Sequence, residues 1–341
     1  LGELGMTKNE LALRMNRPAS KLSAIFKGEK AITTQTAIQL EKVVGVPANI
    51  WIGLESEYQL TLARNRESKE IQKLDEESHL VTKFCYSNLV KFGLVRKKTK
   101  NIEKVQELHS FFGVTSLKNI SNLKRYQVAF RQGAGSKQSP EAISTWLRIG
   151  ELRSQRALHP PFNRSALEAA LPEVRNLTHL PPEALKKKLQ AVLLKAGITF
   201  LICPHLPNTY LHGATFWLGE HKAVLMLTNR GIWADIFWFS LFHELGHILL
   251  HGKQRVFLEA DAASLNGDKA EREADQFAAN WLIPADEYKK FIVRGDFFPE
   301  AIKEFAQRIQ VDAGIVVGRL QHDGFIENSW HNSLRKRYNW S

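Results

Sequence analysis

A chain of 341 residues is longer than one ordinary hydrophobic core supports, so two or three compact units are expected, a small one ahead of a larger one. Hydrophobic residues make up 44% and charged residues 24%, a composition that excludes a disordered chain and leaves a real core to bury. The formal net charge of +12 is unevenly placed: residues 66–200 carry 24 Lys and Arg against 12 Asp and Glu, whereas residues 1–65 carry eight against six and residues 201–341 carry 15 against 17. Such a field suits nucleic acid or an acidic protein, and it equally suits a solvated helical surface.

Only two cysteines occur, Cys85 and Cys203, well apart and in apolar surroundings. Neither a disulfide framework nor a thiolate metal cluster can be assembled from them, and a reducing cytoplasm is the expected compartment. No apolar run reaches the ~20 residues of a membrane span, and the longest, Ile232 to Phe242, is interrupted by Asp235. No membrane partner is expected. The chain opens on Leu1 with no apolar signal core behind it, and its true start is expected to be missing.

Residues 1–65 read as short helices: Thr7 to Asn16, Ser20 to Phe26, Thr33 to Val44, and Pro47 to about Arg64. Ser20 and the Thr33–Thr34 pair stand ahead of apolar patterns as caps, and Gly28 and Gly45 are stops. Residues 66–163 continue as helices with a basic surface that includes Arg96, Lys97, Lys98 and Lys100. They are broken by a Gly/Ser-rich stretch at Gly133 to Ser139 and again around His159, Pro160 and Pro161, where a domain boundary is expected. The third region, 164–341, starts with helices, among them an amphipathic one at Glu183 to Ala196 that ends at Gly197. Three strand-like runs follow, Ile198 to Cys203, Ala214 to Leu218 and Ala223 to Leu227, which suit a small half-buried sheet. Two long helices come next, about Asp235 to His251 and about Lys269 to Trp281, the latter stopped by Pro284.

The first of these long helices carries His243, Glu244, Leu245, Gly246 and His247, the spacing HExxH. Two positions four apart share one helix face, so both imidazoles can reach one ion. Glu244 can then accept a proton from water without itself ligating the metal. Two histidines on a surface helix would be an accident, but Trp238, Phe239, Leu241, Phe242, Leu245, Ile248 and Leu249 make this helix apolar nearly all round and therefore buried. Buried imidazoles and a buried carboxylate are costly unless something pairs with them, and a metal does so.

A catalytic zinc takes three protein ligands and keeps one position open. His251 continues the four-residue spacing but lies two turns from His243 on the same rod. The third histidine of metzincins is absent, because Leu250 and Lys253 occupy the positions beyond HExxH. The next helix opens with Glu271, Glu273 and Asp275, of which Glu271 and Asp275 share a face. Glu271 is therefore expected to ligate and Asp275 to hold the free ring N–H of a ligating histidine. Glu273, on another face, reads as a solvated helix charge. His205, His212, Arg319 and His322 also invite roles; His322 is the one expected to act as a catalytic donor over the metal site, against the plainer reading of a surface histidine. Cys203 reads as a core residue.

HELGH followed by EREADQFAANWLIP from Glu271 to Pro284 resembles the ImmA/IrrE family of zinc metallopeptidases, and the likeness extends to GATFWL at Gly213 to Leu218 and GIVVGRLQHDG at Gly314 to Gly324. It covers roughly residues 164–341. The resemblance implies a gluzincin-like domain holding one Zn2+ per chain through His243, His247 and Glu271, with Glu244 as the base. The implied substrate is a regulatory protein such as a repressor. The N-terminal region, MTKNELALRMNRPASKLSAIFKGEKAITTQTAIQLEKVVGVPANIWIGLE, resembles the XRE-type helix-turn-helix of HigA-like antitoxins. That implies a double-stranded DNA operator as partner, with Ala19, Ser20, Lys21 and Ser23 facing bases. It also implies a toxin partner and a homodimer, with the first helix cut short here.

The expected fold class is mainly α within α+β: a helix-turn-helix bundle at 1–65, a basic helical connecting region at 66–163, and a zincin-like domain with a small β-sheet at 164–341. The expected function is a zinc endopeptidase joined to a DNA-binding domain, controlling a toxin–antitoxin, mobile-element or stress operon. The alternative is an antitoxin-type transcriptional regulator whose zinc domain senses or scaffolds without cleaving.

Overall fold

The computed structural model describes residues 1–340 except 3, 133–136, 156–159, 230–232, 253–255 and 261–268, and at 65–73, 131–132 and 260 it describes the backbone alone. It forms two compact units, Leu1–Glu76 and Glu77–Ser341. The fold is mostly helical with one small mixed sheet, as the α+β reading expects. Part of the Gly133-to-Ser139 stretch and His159, where a boundary is expected, lie outside the described residues.

The first unit holds α1 (Lys8–Arg14), α2 (Ala19–Phe26), α3 (Thr34–Val44) and α4 (Ala48–Glu70). Thr7 caps α1 by accepting from the Glu10 N–H at 3.2 Å, and Thr33 caps α3 by accepting from the Thr36 N–H at 3.3 Å. Gly45 closes α3 at φ 79°, a left-handed conformation that costs a glycine least. The expected cap at Ser20 is corrected: α2 starts one residue earlier and follows Pro18, whose φ of −58° leads the chain into the helix without a side-chain cap. Leu11, Ala12, Met15, Leu22 and Leu40 form a small core under these helices.

The second unit begins with α5 (Leu80–Lys83), α6 (Tyr86–Lys91), α7 (Asn101–Phe112), α8 (Gln127–Gln132) and α9 (Pro140–Gln155). It continues through α10 (Arg164–Asn176) and α11 (Pro182–Lys195), then β1 (Ile198–Cys203), β2 (Leu211–Leu218) and β3 (Lys222–Thr228). After these come α12 (Ala234–Leu250), β4 (Phe257–Ala260), α13 (Lys269–Leu282), α14 (Ala285–Arg294), α15 (Pro299–Arg308) and α16 (Ala313–His322). The strands lie in the order β1-β3-β2-β4, with β1 parallel to β3 and β2 antiparallel to both of its neighbours.

Side chains alternate across a strand, so the sheet has two apolar faces to cover. Ala223, Leu225 and Leu227 of β3 join the core built around α12 and α11. Met226 points the other way and packs against Gly150 of α9, where a Cβ would stand 2.0 Å from its sulfur. The stretch expected to connect two domains therefore supplies a cover for the sheet. The strand β4 was not anticipated in the sequence; it pairs with β2 at the sheet edge and sets Phe257 and Glu259 beside α12.

Candidate metal centre

The helix α12 runs through the core of the second unit, and the apolar residues around HELGH are what bury it: His243 is 2% exposed, Glu244 0% and His247 1%. Its neighbour α13 approaches closely because Gly246 has no side chain; a Cβ there would lie 3.3 Å from the Ala274 Cα and 3.2 Å from the Phe277 ring. That approach delivers Glu271 to the histidines.

The Nε2 atoms of His243 and His247 stand 2.9 Å apart, and Glu271 Oε2 lies 3.2 Å from the first and 3.5 Å from the second. Among the described residues these three side chains form a group able to hold a metal ion. Donors about 2 Å from a tetrahedral ion sit about 3.3 Å from one another, so the triangle has the size that zinc requires. The donor set, two imidazoles and one carboxylate, is that of a catalytic rather than a closed structural site.

Electrostatics favours a cation at the same point. Burial opposes charge on His243, but hydrogen bonds to Asp275 and Glu271, with Glu259 and Glu244 nearby, overcome it and raise its pKa to about 11. Burial likewise opposes charge on Glu271, yet the two histidines pull its pKa down to about 2. His247 falls below the usual imidazole range, chiefly through burial and with His243 and His251 close by. Complete burial, reinforced by Glu259 and Glu271, pushes Glu244 well above the carboxylate range against the opposing pull of His243 and of the Thr215 hydroxyl.

Side chains outside the donor triangle hold His243 and Glu244 in place. Asp275 Oδ1 accepts from His243 Nδ1 at 2.8 Å, which turns Nε2 toward the centre. The Thr215 hydroxyl of β2 holds Glu244 Oε2, while Glu244 Oε1 is buried with no hydrogen-bond partner among the described residues. Gly213 makes room for it, since a Cβ there would be 2.6 Å from Glu244 Oε1.

Several groups were not anticipated. Glu259 of β4 accepts from the Ser240 hydroxyl at 2.8 Å, its other oxygen is buried with no hydrogen-bond partner among the described residues, and burial raises its pKa. His251, weighed as a metal ligand, instead meets the far side of the His247 ring, with Nδ1 3.0 Å from His247 Nδ1. Glu273, expected to be a solvated charge, is indeed exposed on its helix but pairs with His251 at 3.1 Å and with Lys269 at 3.4 Å. These contacts depend on which helix faces meet, which a local pattern does not reveal.

A cleft of 1140 Å³ opens beside the histidines, with His212, Glu259, Asp275, Arg319 and His322 in its wall. The His322 side chain is 82% exposed and is hydrogen-bonded to Asp323 at 3.0 Å. Arg319 is engaged by Asp323 at 2.6 Å and lies over the Tyr288 ring. His205 hydrogen-bonds Thr209 at 3.3 Å. Cys203 is fully buried, in keeping with a core role. In the first unit, Ala19, Ser20, Lys21 and Ser23 all lie exposed at the start of α2.

No described helix is long and apolar enough to cross a membrane. A comparison with curated proteins found no match. Residues 205–321 match the model of the peptidase family M78, described as the IrrE N-terminal-like domain. The matched segment contains both histidines, Glu244, Glu271 and Asp275. Over this segment the chain is similar to the metallopeptidases of family M78.

Proposed function

We propose that the chain is a zinc-dependent endopeptidase of gluzincin type, fused to a helix-turn-helix DNA-binding domain, that cleaves a regulatory protein such as a repressor. The observation that carries this reading is the convergence of His243, His247 and Glu271 beside a buried glutamate, one of whose oxygens has no hydrogen-bond partner among the described residues. Zinc held by those three side chains would supply a Lewis acid that polarises the scissile carbonyl and acidifies water. Glu244, fixed at Oε2 by Thr215, has Oε1 available to take the proton of the attacking water and pass it to the departing amine. Burial raises its affinity for that proton. Asp275 keeps His243 in the tautomer that presents Nε2. The substrate would lie in the cleft beside His243 and Glu271, where His322 in the wall would be a donor to one of its carbonyls.

Glu244→Gln keeps the size of the side chain and removes the base. Incubated with co-encoded repressors, wild type should cleave and Glu244→Gln should be slower by at least about 100-fold with zinc still bound. Equal inertness of the two zinc-loaded proteins would sink the peptidase reading.

A second reading, a DNA-binding regulator whose zinc domain senses or scaffolds, is favoured by the exposed row Ala19, Ser20, Lys21 and Ser23. Its partners would be an operator, a toxin and a second copy of the chain. A gel shift on the upstream region of its operon should weaken with salt and weaken further for Lys21→Ala. Affinity unchanged by removing residues 1–65 would exclude it.

A further inference from the structure

An imidazole binds an ion through a bare nitrogen, so its other nitrogen carries the proton and needs an acceptor. For His243 the acceptor is Asp275. For His247 the facing atom is another imidazole nitrogen, Nδ1 of His251 at 3.0 Å. Two imidazole nitrogens at that distance, on the side of the ring away from the proposed ion, share one proton. Which ring carries it is decided one step further out, where Glu273 Oε2 stands 3.1 Å from His251 Nε2. A carboxylate only accepts, so the proton of a neutral His251 sits on Nε2 and its Nδ1 is bare. That bare atom accepts from His247 Nδ1–H, and His247 Nε2 is left bare toward His243 and Glu271.

We propose that His251 and Glu273 are positioning residues that fix, through this relay, the ring orientation and tautomer His247 presents to the metal. Spacing places them for it: His243 and His247 on α12 and His251 at its C-terminal cap follow one another every four residues, and the third is too far along the rod to join the first two at the ion. Phe257 of β4 stacks on His247, centroids 4.0 Å apart and planes at 15°, and its ring also lies 5.5 Å from that of His251. The plainer reading, a surface ion pair, does not account for an imidazole whose side chain is 9% exposed and whose inner nitrogen meets His247.

The inference rests on the zinc reading of the site, and its test separates the two. Zinc affinity is measured by competition with a chromophoric chelator for wild type, His251→Leu, His251→Asn and Glu273→Ala, with the fold of each metal-free variant checked by circular dichroism. Wild type that takes up no zinc ends the zinc reading itself. Zinc-binding wild type with His251→Leu weakened about 10- to 100-fold, and His251→Asn partly restored because its amide oxygen can replace Nδ1 as acceptor, supports the relay. Glu273→Ala should weaken binding several-fold. Equal affinity of wild type and His251→Leu overturns it. Should His251→Leu fail to fold, nitrogen-15 spectra of the wild-type imidazoles decide: a proton on His251 Nε2 and on His247 Nδ1 supports the relay, and a proton on His251 Nδ1 overturns it.

Discussion

Gly213 lies on β2 where any side chain would meet Glu244: a Cβ would stand 2.6 Å from Oε1 and 2.9 Å from Cγ. Glu244 has nowhere to retreat, being fully buried with its other oxygen held by Thr215. Gly213→Ala should therefore move the base while leaving the metal ligands untouched. The expected outcome is a fall in peptide cleavage of about 100-fold at unchanged zinc content, in the range that loss of general-base catalysis produces. Unaltered turnover would show that Glu244 does not act from this position. The histidines and Glu244 were legible as HExxH because the spacing that puts them on one face is local to one helix. The need for glycine at 213 was not, since it comes from a strand crossing Glu244 some thirty residues away in sequence.

At the scale of elements, α12 and α13 were readable from their apolar periodicity and stops, and Glu271 and Asp275 followed from a shared face. What places that face within reach is Gly246, together with Ala274 and Ala278 on the facing helix, all buried. Gly246→Val should force the helices apart, at a cost of about 1–3 kcal/mol for overpacking, and should weaken zinc binding as Glu271 withdraws. Thermal unfolding and chelator competition would measure both effects, and a variant that keeps full zinc affinity would show that Glu271 is held independently of the helix contact. The strand β4 escaped the sequence because four residues, one of them the charged Glu259, carry too little alternation to signal a strand. Missing it also hid the ring that stacks on His247.

A second element-scale junction ties the basic helices to the sheet. Glu151 of α9 accepts from Arg148 at 2.7 Å and Tyr126 at 3.0 Å and is paired with Arg125, which also donates to the Trp217 carbonyl of β2 at 3.2 Å. Burial works against the charge on Glu151, but these donors outweigh it and hold its pKa below the usual carboxylate value. A carboxyl depressed in the folded state stabilises fully above its unfolded pKa of about 4.3 and loses that contribution as pH falls through the folded value. Glu151→Gln should thus lower stability by on the order of 2 kcal/mol at neutral pH. The gap to wild type should stay level above about pH 5 and close below about pH 4. A gap that is constant down to pH 3 would remove the charge from the account.

For the whole molecule, charge and pattern indicated helices across residues 66–163 but gave no sign that α9 covers a face of the sheet, because Gly150 and Met226 meet only once the chain has folded. The two compact units, Leu1–Glu76 and Glu77–Ser341, each enclose a core of their own, and the proposed zinc ligands belong to the second alone. A ligand that binds only the folded state stabilises it by mass action, about 4 kcal/mol at a free concentration of 1,000 times Kd. In a unit of this size that corresponds to a shift of roughly 10 °C. Calorimetry should therefore show two unfolding transitions, with a chelator lowering the one that belongs to Glu77–Ser341 and sparing the other. If both transitions moved together, or neither moved, either the units would not be thermodynamically separate or the three donors would not be holding the ion that the proposed chemistry needs.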